Sequence, residues 1–484
     1  MKAIYKDSTI VEREAKLKYS IPEYIMMENA AAAMHNLIDE ITAQMGLFCD
    51  AKILLVCGSG NNGGDGYALA RRLHGLYKVS VISVAEPRAF EAMQQIRMVQ
   101  ALGIEVTSIL NSSLIRLSDM IVSGANIIVD CIYGTGFHGP MDENVEKLLK
   151  LLNASSAIRI ACDVPSGIDK NGHCSDVNFK ADYTVTMGAL KSALFTDAAK
   201  DYVGKISVAN LGISAKDFEK CGPADFYLIE KSDIKLPLRK KRSTHKGSFG
   251  HTLVISGEKS GAAIMAASAA MNFGSGLTSI LKTSQSNLDQ FKISPELMIT
   301  QKYPAKTTSL VIGPGLGLFD QTLYNDFTAW FSSAKNPSCV LDADMFSYEN
   351  IGSLLAQINA VEGARIVLTP HLQECKNLLS NLGMDTISDF VEQFKNIVLV
   401  VKSANTKIFT NKGVYFCSDG VQSLSKGGSG DVLAGMIAAL LSQGYSALDA
   451  AITGVEAHAL AARTFGAEDY SLTPSKLLEE IARM

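Results

Sequence analysis

Val56-Cys57-Gly58-Ser59-Gly60-Asn61-Asn62-Gly63-Gly64-Asp65-Gly66 follows an apolar run and opens a helical pattern. The run Lys52 to Val56 reads as a buried strand and Tyr67 to Leu73 as the first turns of a helix, with the glycine-rich turn between them. Backbone N–H groups at such a turn point toward an anion at the helix N-terminus. Gly58, Gly60 and Gly63 fit the dinucleotide fingerprint, and Glu86 closes the next apolar strand, where a ribose-binding acid is expected. The fingerprint does not require Asn61, Asn62 and Asp65. Paired amides and a carboxylate beside a phosphate cradle point to cation coordination or substrate hydroxyl contacts. The plainer alternative is a turn built from turn-favouring residues.

Outward from this stretch, apolar strands alternate with helical patterns: Ile53 to Val56, Val79 to Val84, Ile127 to Val129 and Ile158 to Cys162. That is the pattern of a parallel sheet wrapped by helices. It breaks at Lys231 to Lys246, around Pro237 and the basic run Arg239-Lys240-Lys241-Arg242. The run is short and lacks interleaved aromatics, so it reads as a solvated linker rather than a nucleic-acid patch. A second alternating series then starts at Thr252 to Ser256 and runs through Leu310 to Ile312, Cys339 to Leu341, Ile366 to Leu368 and Ile397 to Val401. Two α/β domains are expected.

A chain of 484 residues exceeds one ordinary core. A formal net charge of −4 gives no general affinity for nucleic acid or membrane surfaces. Met1 to Lys18 lacks the apolar core of a secretory signal and no stretch is long enough to span a bilayer, so a cytoplasmic protein is expected. Nine cysteines without CxxC spacing fit reduced thiols, and zinc is not indicated.

Two more strand ends carry chemistry in the first half. Asp130 precedes the glycine-rich loop Cys131 to Pro140, and Asp163 opens Asp163-Val164-Pro165-Ser166-Gly167. Ligands of open α/β sheets bind outside the carboxyl ends of strands, which brings these loops to face the first one. Asp65, Asp130 and Asp163 then cluster, and clustered carboxylates need a cation or a shared proton. Asn62, Asp130 and Ser166 offer hard oxygen ligands for an alkali or alkaline-earth ion, leaving Asp163 for acid–base work. The alternative is that Asp130 and Asp163 only cap their loops.

Gly60 to Gly66, Asp130 to Gly139, Asp163 to Gly167 and Gly188-Ala189-Leu190-Lys191, together with Met27-Glu28-Asn29-Ala30 on the first helix, resemble the YjeF amino-terminal family, the NAD(P)H-hydrate epimerases. The resemblance covers residues 1 to 215 and implies a Rossmann-like three-layer sandwich. It implies that Asn61-Asn62-Gly63-Gly64-Asp65 and Gly134-Thr135-Gly136-Phe137-His138-Gly139-Pro140 bind the hydrate, that Asn62, Asp130 and Ser166 hold K⁺, and that Asp163 with Lys191 moves protons at the hydrated nicotinamide. The hydroxyl at C6 lies next to the ring nitrogen, so the stereocentre inverts through loss and return of the C6–oxygen bond. A carboxylate with a neighbouring ammonium supplies and removes that proton.

In the second half, Lys426-Gly427-Gly428-Ser429-Gly430-Asp431 runs directly into the apolar helix Val432 to Leu441. Glycine amides and a helix N-terminus form an anion hole for a phosphoryl group, and Asp431 stands beside it as a base for an attacking hydroxyl. A bare N-cap needs one Ser or Asp and not three glycines. Lys402-Ser403-Ala404-Asn405-Thr406 ends a strand where a nucleotide is expected, and His371 after Thr369-Pro370 is a candidate substrate contact.

These segments, with His245-Lys246-Gly247, Gly313 to Gly317 and Leu341 to Asp344, resemble the YjeF carboxy-terminal family, the ribokinase-like NAD(P)H-hydrate dehydratases. The domain is expected over 241–484, after a linker at 216–240. The resemblance implies that ADP phosphorylates the C6 hydroxyl of the S hydrate, giving AMP and a phosphate that then leaves, with Mg²⁺ as cofactor. Asp431 is then the base. The nucleotide lies against Lys402-Ser403-Ala404-Asn405-Thr406 and Gly430, and the hydrate near Ala262, Gly315, His371 and Asp431. The chain departs from the family pattern at Ser192-Ala193, Leu372-Gln373 and Ser403. The whole reads as a fused repair enzyme acting on small molecules, NAD(P)H hydrate and ADP, and the family implies a homo-oligomer. Two rivals are a ribokinase-like small-molecule kinase fused to a nucleotide-binding domain, and a binding or scaffold role for the first domain.

Overall fold

The computed structural model describes residues 1–109 and 124–484 and divides into two compact units, Ala3–Phe226 and Tyr227–Met484, the second also holding Met1–Lys2. In the first unit β2 (Lys52–Cys57), β3 (Lys78–Ser83), β4 (Val106–Ser108), β5 (Ile127–Cys131), β6 (Ile158–Cys162), β7 (Tyr183–Met187) and β9 (Lys205–Ala209) form a parallel sheet in the order β4-β3-β2-β5-β6-β7-β9. Its strands are apolar on both faces. Ile53, Leu55 and Cys57 of β2 enter one core with α2 (Glu23–Met45) and α3 (Asn61–Leu73), while Leu54 and Val56 enter another with α5 (Glu143–Ala154). Burying both faces under helices is what a parallel sheet requires. The chain turns outward from β2 first through β3 and β4, then through β5 to β9, so the switch in direction lies between β2 and β5. A separate parallel pair, β1 (Lys2–Tyr5) with β8 (Leu190–Lys191), sets Tyr5 opposite Lys191, and α1 (Ser8–Tyr19) follows β1.

Three expectations are corrected. The helix after β2 begins at Asn61, not at Tyr67, so Asn61 to Gly66 form its first turns. Glycine is a poor helix former, yet packing overrides propensity here. A Cβ on Gly63 would stand 2.0 Å from the Gly58 carbonyl oxygen, and one on Gly66 2.7 Å from Cys57 Sγ and 2.8 Å from Cys131 Cβ. These glycines bring the helix down onto the strand ends. Met27 to Ala30 lie on the second helix, because α1 precedes them. Asp130 sits inside β5, which continues to Cys131.

In the second unit β11 (His251–Ser256), β12 (Leu277–Lys282), β13 (Met298–Thr300), β14 (Ser309–Ile312), β15 (Ser338–Leu341), β16 (Arg365–Leu368) and β17 (Ile397–Val401) are parallel, in the order β13-β12-β11-β14-β15-β16-β17. The antiparallel hairpin β18 (Thr406–Thr410) and β19 (Gly413–Cys417) extends it. Leu253 and Ile255 face α9 (Gln321–Ser333) and α10 (Ile351–Asn359); Val254 faces α8 (Ser260–Asn272), α13 (Ser429–Ser442) and α14 (Ala447–Arg463). Here the switch lies between β11 and β14. The stretch 216–240 carries most of a short helix, Ala215–Glu219, and β10 (Phe226–Leu228), which pairs with β19.

Candidate active sites

The first site forms where α3 starts beside the loops that follow β5 and β6. Gly60 is the N-cap of α3 and no side chain among the described residues caps the helix, which leaves its first amides without side-chain partners there. Asn62 lies in that turn, and its side-chain oxygen and nitrogen are both shielded from solvent without a hydrogen-bond partner among the described residues. A buried amide with neither atom paired is costly. A Cβ placed on Gly134 would lie 3.0 Å from Asp163 Oδ2 and 3.5 Å from Asn62 Cγ, so the β5 loop meets both residues.

Asp163 follows β6 with φ +71°, a left-handed backbone that few side chains other than Asp and Asn tolerate. Its carboxylate pairs with Lys191 Nζ at 2.6 Å and accepts from Thr135 Oγ1 at 2.7 Å, Thr135 N at 3.2 Å and Met187 N at 3.2 Å. Lys191 also donates to Thr186 Oγ1 at 3.0 Å and to the Met187 carbonyl at 2.9 Å. Burial works to raise Asp163, but the Lys191 charge and these hydrogen bonds outweigh it and hold the carboxyl below its ordinary value. Asp65 behaves in the opposite way. Burial, then the charges of Asp163 and Glu12, push it well above the carboxylate range, and its near neighbour is Cys162 Sγ at 3.9 Å. The site therefore holds one carboxyl kept acidic by its partners and one made reluctant to ionise, a split that suits divided proton-transfer roles.

Asp130 is fully buried and accepts from Ser166 N at 2.8 Å, Ser166 Oγ at 2.7 Å and Ile132 N at 3.1 Å, while Ser166 Oγ accepts from Tyr133 N at 3.0 Å. Asp130 and Ser166 thus brace the β5 and β6 loops together. Burial lifts Asp130 to about 6 against those hydrogen bonds. Along the β5 loop, Phe137 packs on Tyr133 with ring centroids 4.8 Å apart, and His138 Nδ1 meets the Gly136 carbonyl at 2.7 Å. His138, Gly139 and Pro140 are exposed at its tip.

The second site is built around the start of α13. Gly428 caps it at φ 96° with no side-chain cap, and Asp431 stands in the first turn. A Cβ on Gly430 would lie 3.1 Å from Lys402 Nζ, which pairs with Asp342 at 2.8 Å. Burial, followed by the charge of Asp342, raises Asp431 to about 6 despite Lys402. Asp344 and Glu374 also face Asp431, and Asp344 accepts from Gly317 N at 2.9 Å, tying the glycine loop after β14 to the site. In that loop a Cβ on Gly315 would touch Ala262 Cβ at 3.1 Å, so these two predicted contacts are neighbours.

His371 bridges to Lys402 along the backbone, but its Nδ1 accepts from Gln373 N at 3.1 Å and Glu374 N at 3.2 Å. It is the N-cap of α11 (Leu372–Asn381), and the departure at Leu372-Gln373 falls in the turn it caps. Lys402 to Asn405 form the turn of the β17–β18 hairpin. Ser403 Oγ donates to the Asn405 carbonyl at 2.9 Å, and Thr406 Oγ1 to the Ser403 carbonyl at 3.2 Å, so the serine and threonine close the turn.

Two residues of these sites carry no motif. Glu12 of α1 feels the charges of Lys191 and Asp163, and burial raises it above the usual glutamate value. His458 of α14 donates from Nε2 to the Ser429 carbonyl at 3.0 Å, holding the first turn of α13, and burial lowers it to about 4, so it stays neutral. The i, i+4 relation of Glu12 to Ser8 on an otherwise buried stripe is the one signal that sequence offered for the first. For His458 there was none.

Each unit thus sets a glycine-opened helix over a carboxylate at the switch point of a parallel sheet, which defines the class: a two-site α/β enzyme. The family model described as "YjeF-related protein N-terminus" matches residues 23–193, and the one described as "NAD(P)H-hydrate dehydratase" matches 252–483. The chain is 35% identical over 496 residues to the bifunctional NAD(P)H-hydrate repair enzyme Nnr of Helicobacter pylori, covering 100% of both. It is 31% identical to the Pyrobaculum aerophilum protein of the same name, over 96% of this chain and 94% of that one. A ribokinase-like superfamily protein from Enterococcus faecalis V583 aligns at TM-score 0.44 and 24% identity, covering 54% of this chain and 95% of that one. The chain belongs to the bifunctional NAD(P)H-hydrate repair enzyme family.

Proposed function

We propose that the chain repairs hydrated nicotinamide dinucleotides in two steps, epimerising R and S hydrates in its first domain, 1–215, and dehydrating the S hydrate in its second, 241–484. The observation that carries this reading is the Asp163–Lys191 pair beside the uncapped start of α3, in a chain related along its full length to enzymes so named. In the first domain the open amides of α3 take the pyrophosphate, and the β5 loop covers the nucleotide. Asp163, paired with Lys191, moves the proton as the C6–oxygen bond breaks with help from the ring nitrogen and reforms on the other face, and Asp65, which burial makes reluctant to ionise, stands ready as a second donor.

K⁺ fits the donor set. Asn62 has an idle buried oxygen, and Asp130 and Ser166 add hard oxygens at the same loop junction. When bound, the ion supplies positive charge that offsets the carboxylates and the anionic substrate.

In the second domain Asp431 takes the proton of the C6 hydroxyl as that oxygen attacks the β-phosphorus of ADP. The amides of Gly430 and its neighbours hold the moving phosphoryl group, and Lys402 offsets the charge on AMP. Loss of phosphate from C6 and of a proton from C5 then restores the ring double bond. Mg²⁺ would enter with the nucleotide, held mostly by its phosphates, as its chemistry favours.

The test is to give the purified chain mixed R and S hydrate with K⁺, Mg²⁺ and ADP and to follow the return of reduced-nicotinamide absorbance. Complete recovery, faster than spontaneous epimerisation, is expected. Recovery that stops at the S fraction removes the epimerase. A stable phosphorylated product in place of recovery favours the small-molecule kinase.

A further inference from the structure

The sheet of the first unit runs β4-β3-β2-β5-β6-β7-β9, and counted from β2 it follows the order of dinucleotide-binding sheets, in which each half takes one mononucleotide. The chemistry proposed for this unit occupies the half that starts at β5, where Asp163 follows β6. The other half ends in the loop after β3, and the fold ties that loop to the glycine turn. Val84 N donates to the Cys57 carbonyl at 2.9 Å, and Arg88 N to the Ser59 carbonyl at 2.8 Å. Just beyond, α4 (Phe90–Ala101) packs on the first turns of α3, since a Cβ on Gly64 would lie 3.2 Å from Ala92 Cα. Glu86 and Arg88 are both exposed on this loop, and neither has an ion-pair partner among the described residues. Phe90 follows them, 65% exposed.

We propose that the loop after β3 is the adenosine-ribose subsite of the first domain, with Glu86 accepting from the ribose hydroxyls of NADH hydrate and Arg88 holding the 2′-phosphate of NADPH hydrate. The inference rests on the epimerase reading of this unit and adds what tells the two hydrates apart. With the pyrophosphate at the start of α3 and the nicotinamide toward Asp163, the adenosine half runs the other way, over the ends of β2 and β3. An acid at the end of the second strand of such a sheet receives a 2′-hydroxyl, and an arginine near it receives a 2′-phosphate. A carboxylate alone repels that phosphate. The guanidinium two residues on offers a bidentate, charge-assisted contact that offsets the repulsion. Because the Arg88 amide is anchored on Ser59, its side chain departs from the phosphate turn itself. An open aromatic face such as that of Phe90 suits the base. Glu86 and Arg88 stand in the half of the sheet opposite the reacting carbon, so they set which hydrate is bound and leave proton transfer to Asp163 and Lys191.

The experiment is R-to-S epimerisation of NADH hydrate and NADPH hydrate, each measured separately with the full-length chain. It is followed by chromatography without ADP, so that the second domain leaves the product intact. In Arg88→Ala the ratio of kcat/KM for NADPH hydrate to that for NADH hydrate is expected to fall by about 10- to 100-fold, the worth of one charge-assisted contact. The fall should come through KM rather than kcat, and Arg88→Lys should keep part of the preference. In Glu86→Gln the same ratio is expected to rise by about tenfold, because the ribose loses its acceptor and the phosphate its repulsion. Both side chains are exposed, so neither change disturbs the core. An unmoved ratio in Arg88→Ala, even where both rates drop together, overturns the role of Arg88, since a loosened loop weakens the two hydrates alike. An unmoved ratio in Glu86→Gln overturns that of Glu86 in the same way. Asp163→Ala is measured alongside. Retained epimerisation in that variant, or none in the unaltered chain, overturns the reading of the site, whereas its loss together with unmoved ratios overturns the subsite alone.

Discussion

The two sites use one scaffold and tune it in opposite directions. Each begins at a helix that no side chain caps, α3 behind Gly60 and α13 behind Gly428, at the switch point of a parallel sheet. In the first, Asp163 is locked to a buried lysine and held below its ordinary value. In the second, the lysine is committed to Asp342, so burial prevails and Asp431 rises to about 6. The position of one ammonium decides whether the carboxyl rests ionised or poised to accept a proton near neutrality.

The comparison breaks most directly by exchange of losses. Asp163→Ala should lower epimerisation by about 10³-fold and leave dehydration of S hydrate intact, and Asp431→Asn should do the reverse, the usual scale for a positioned acid or base. Coupled-assay rates on pure R and pure S hydrate read this, and a common loss from either change would contradict separate sites. Next in size is Lys402→Ala. It strands Asp342, 1% exposed, without its partner, so the second unit should lose about 3–5 kcal/mol in denaturant unfolding, with weaker ADP binding. Gly66→Ala tests the first unit instead. Its new methyl meets Cys57 and Cys131 beneath α3, and overpacking of this kind costs about 1–3 kcal/mol.

The smallest effect is that of pH. As the proposed base, Asp431 would have to be ionised to act, so at pH 5 dehydration should fall by about tenfold relative to neutrality while epimerisation holds. The stability signs also differ. The raised Asp431 favours the folded state below the ordinary carboxylate value, a contribution lost as pH climbs through about 6. The lowered Asp163 contributes above that ordinary value and loses its contribution as pH falls through its folded value. Unfolding of each unit followed from about pH 2 to pH 8 separates the two trends.

The two parallel sheets were legible because strands buried on both faces carry uninterrupted apolar runs, as Ile53 to Val56 and Leu310 to Ile312 do. The glycine turns were legible as joints between strand and helix, but their conformation was not. Gly63, Gly64 and Gly66 look like a loop by propensity, and only the closeness of Gly58, Met27 and Cys57 shows why they lie in a helix. Asp163 and Lys191 were named from motifs, but their 2.6 Å contact arises from Lys191 turning back under β7 after Gly188. His371 reads as a substrate contact in sequence, whereas the fold also uses it to cap α11. Glu12 was hidden because a glutamate in the charged helix Ser8 to Tyr19 resembles solvated surface, and β1 pairing with β8 spans about the whole length of the first unit.

Gly66 lies over Cys57 and Cys131, which stand side by side on β2 and β5, and Cys162 ends the next strand. All three thiols are free, buried and pushed above their usual acidity range, which keeps them inert while the unit is folded. Once the unit opens in air that protection ends, and cross-linking among released thiols competes with refolding. Heat inactivation of the first unit in air should therefore be harder to reverse than in the presence of a reductant, so that storage life follows opening rate and oxygen more than equilibrium stability, which the refolding yield with and without reductant reads.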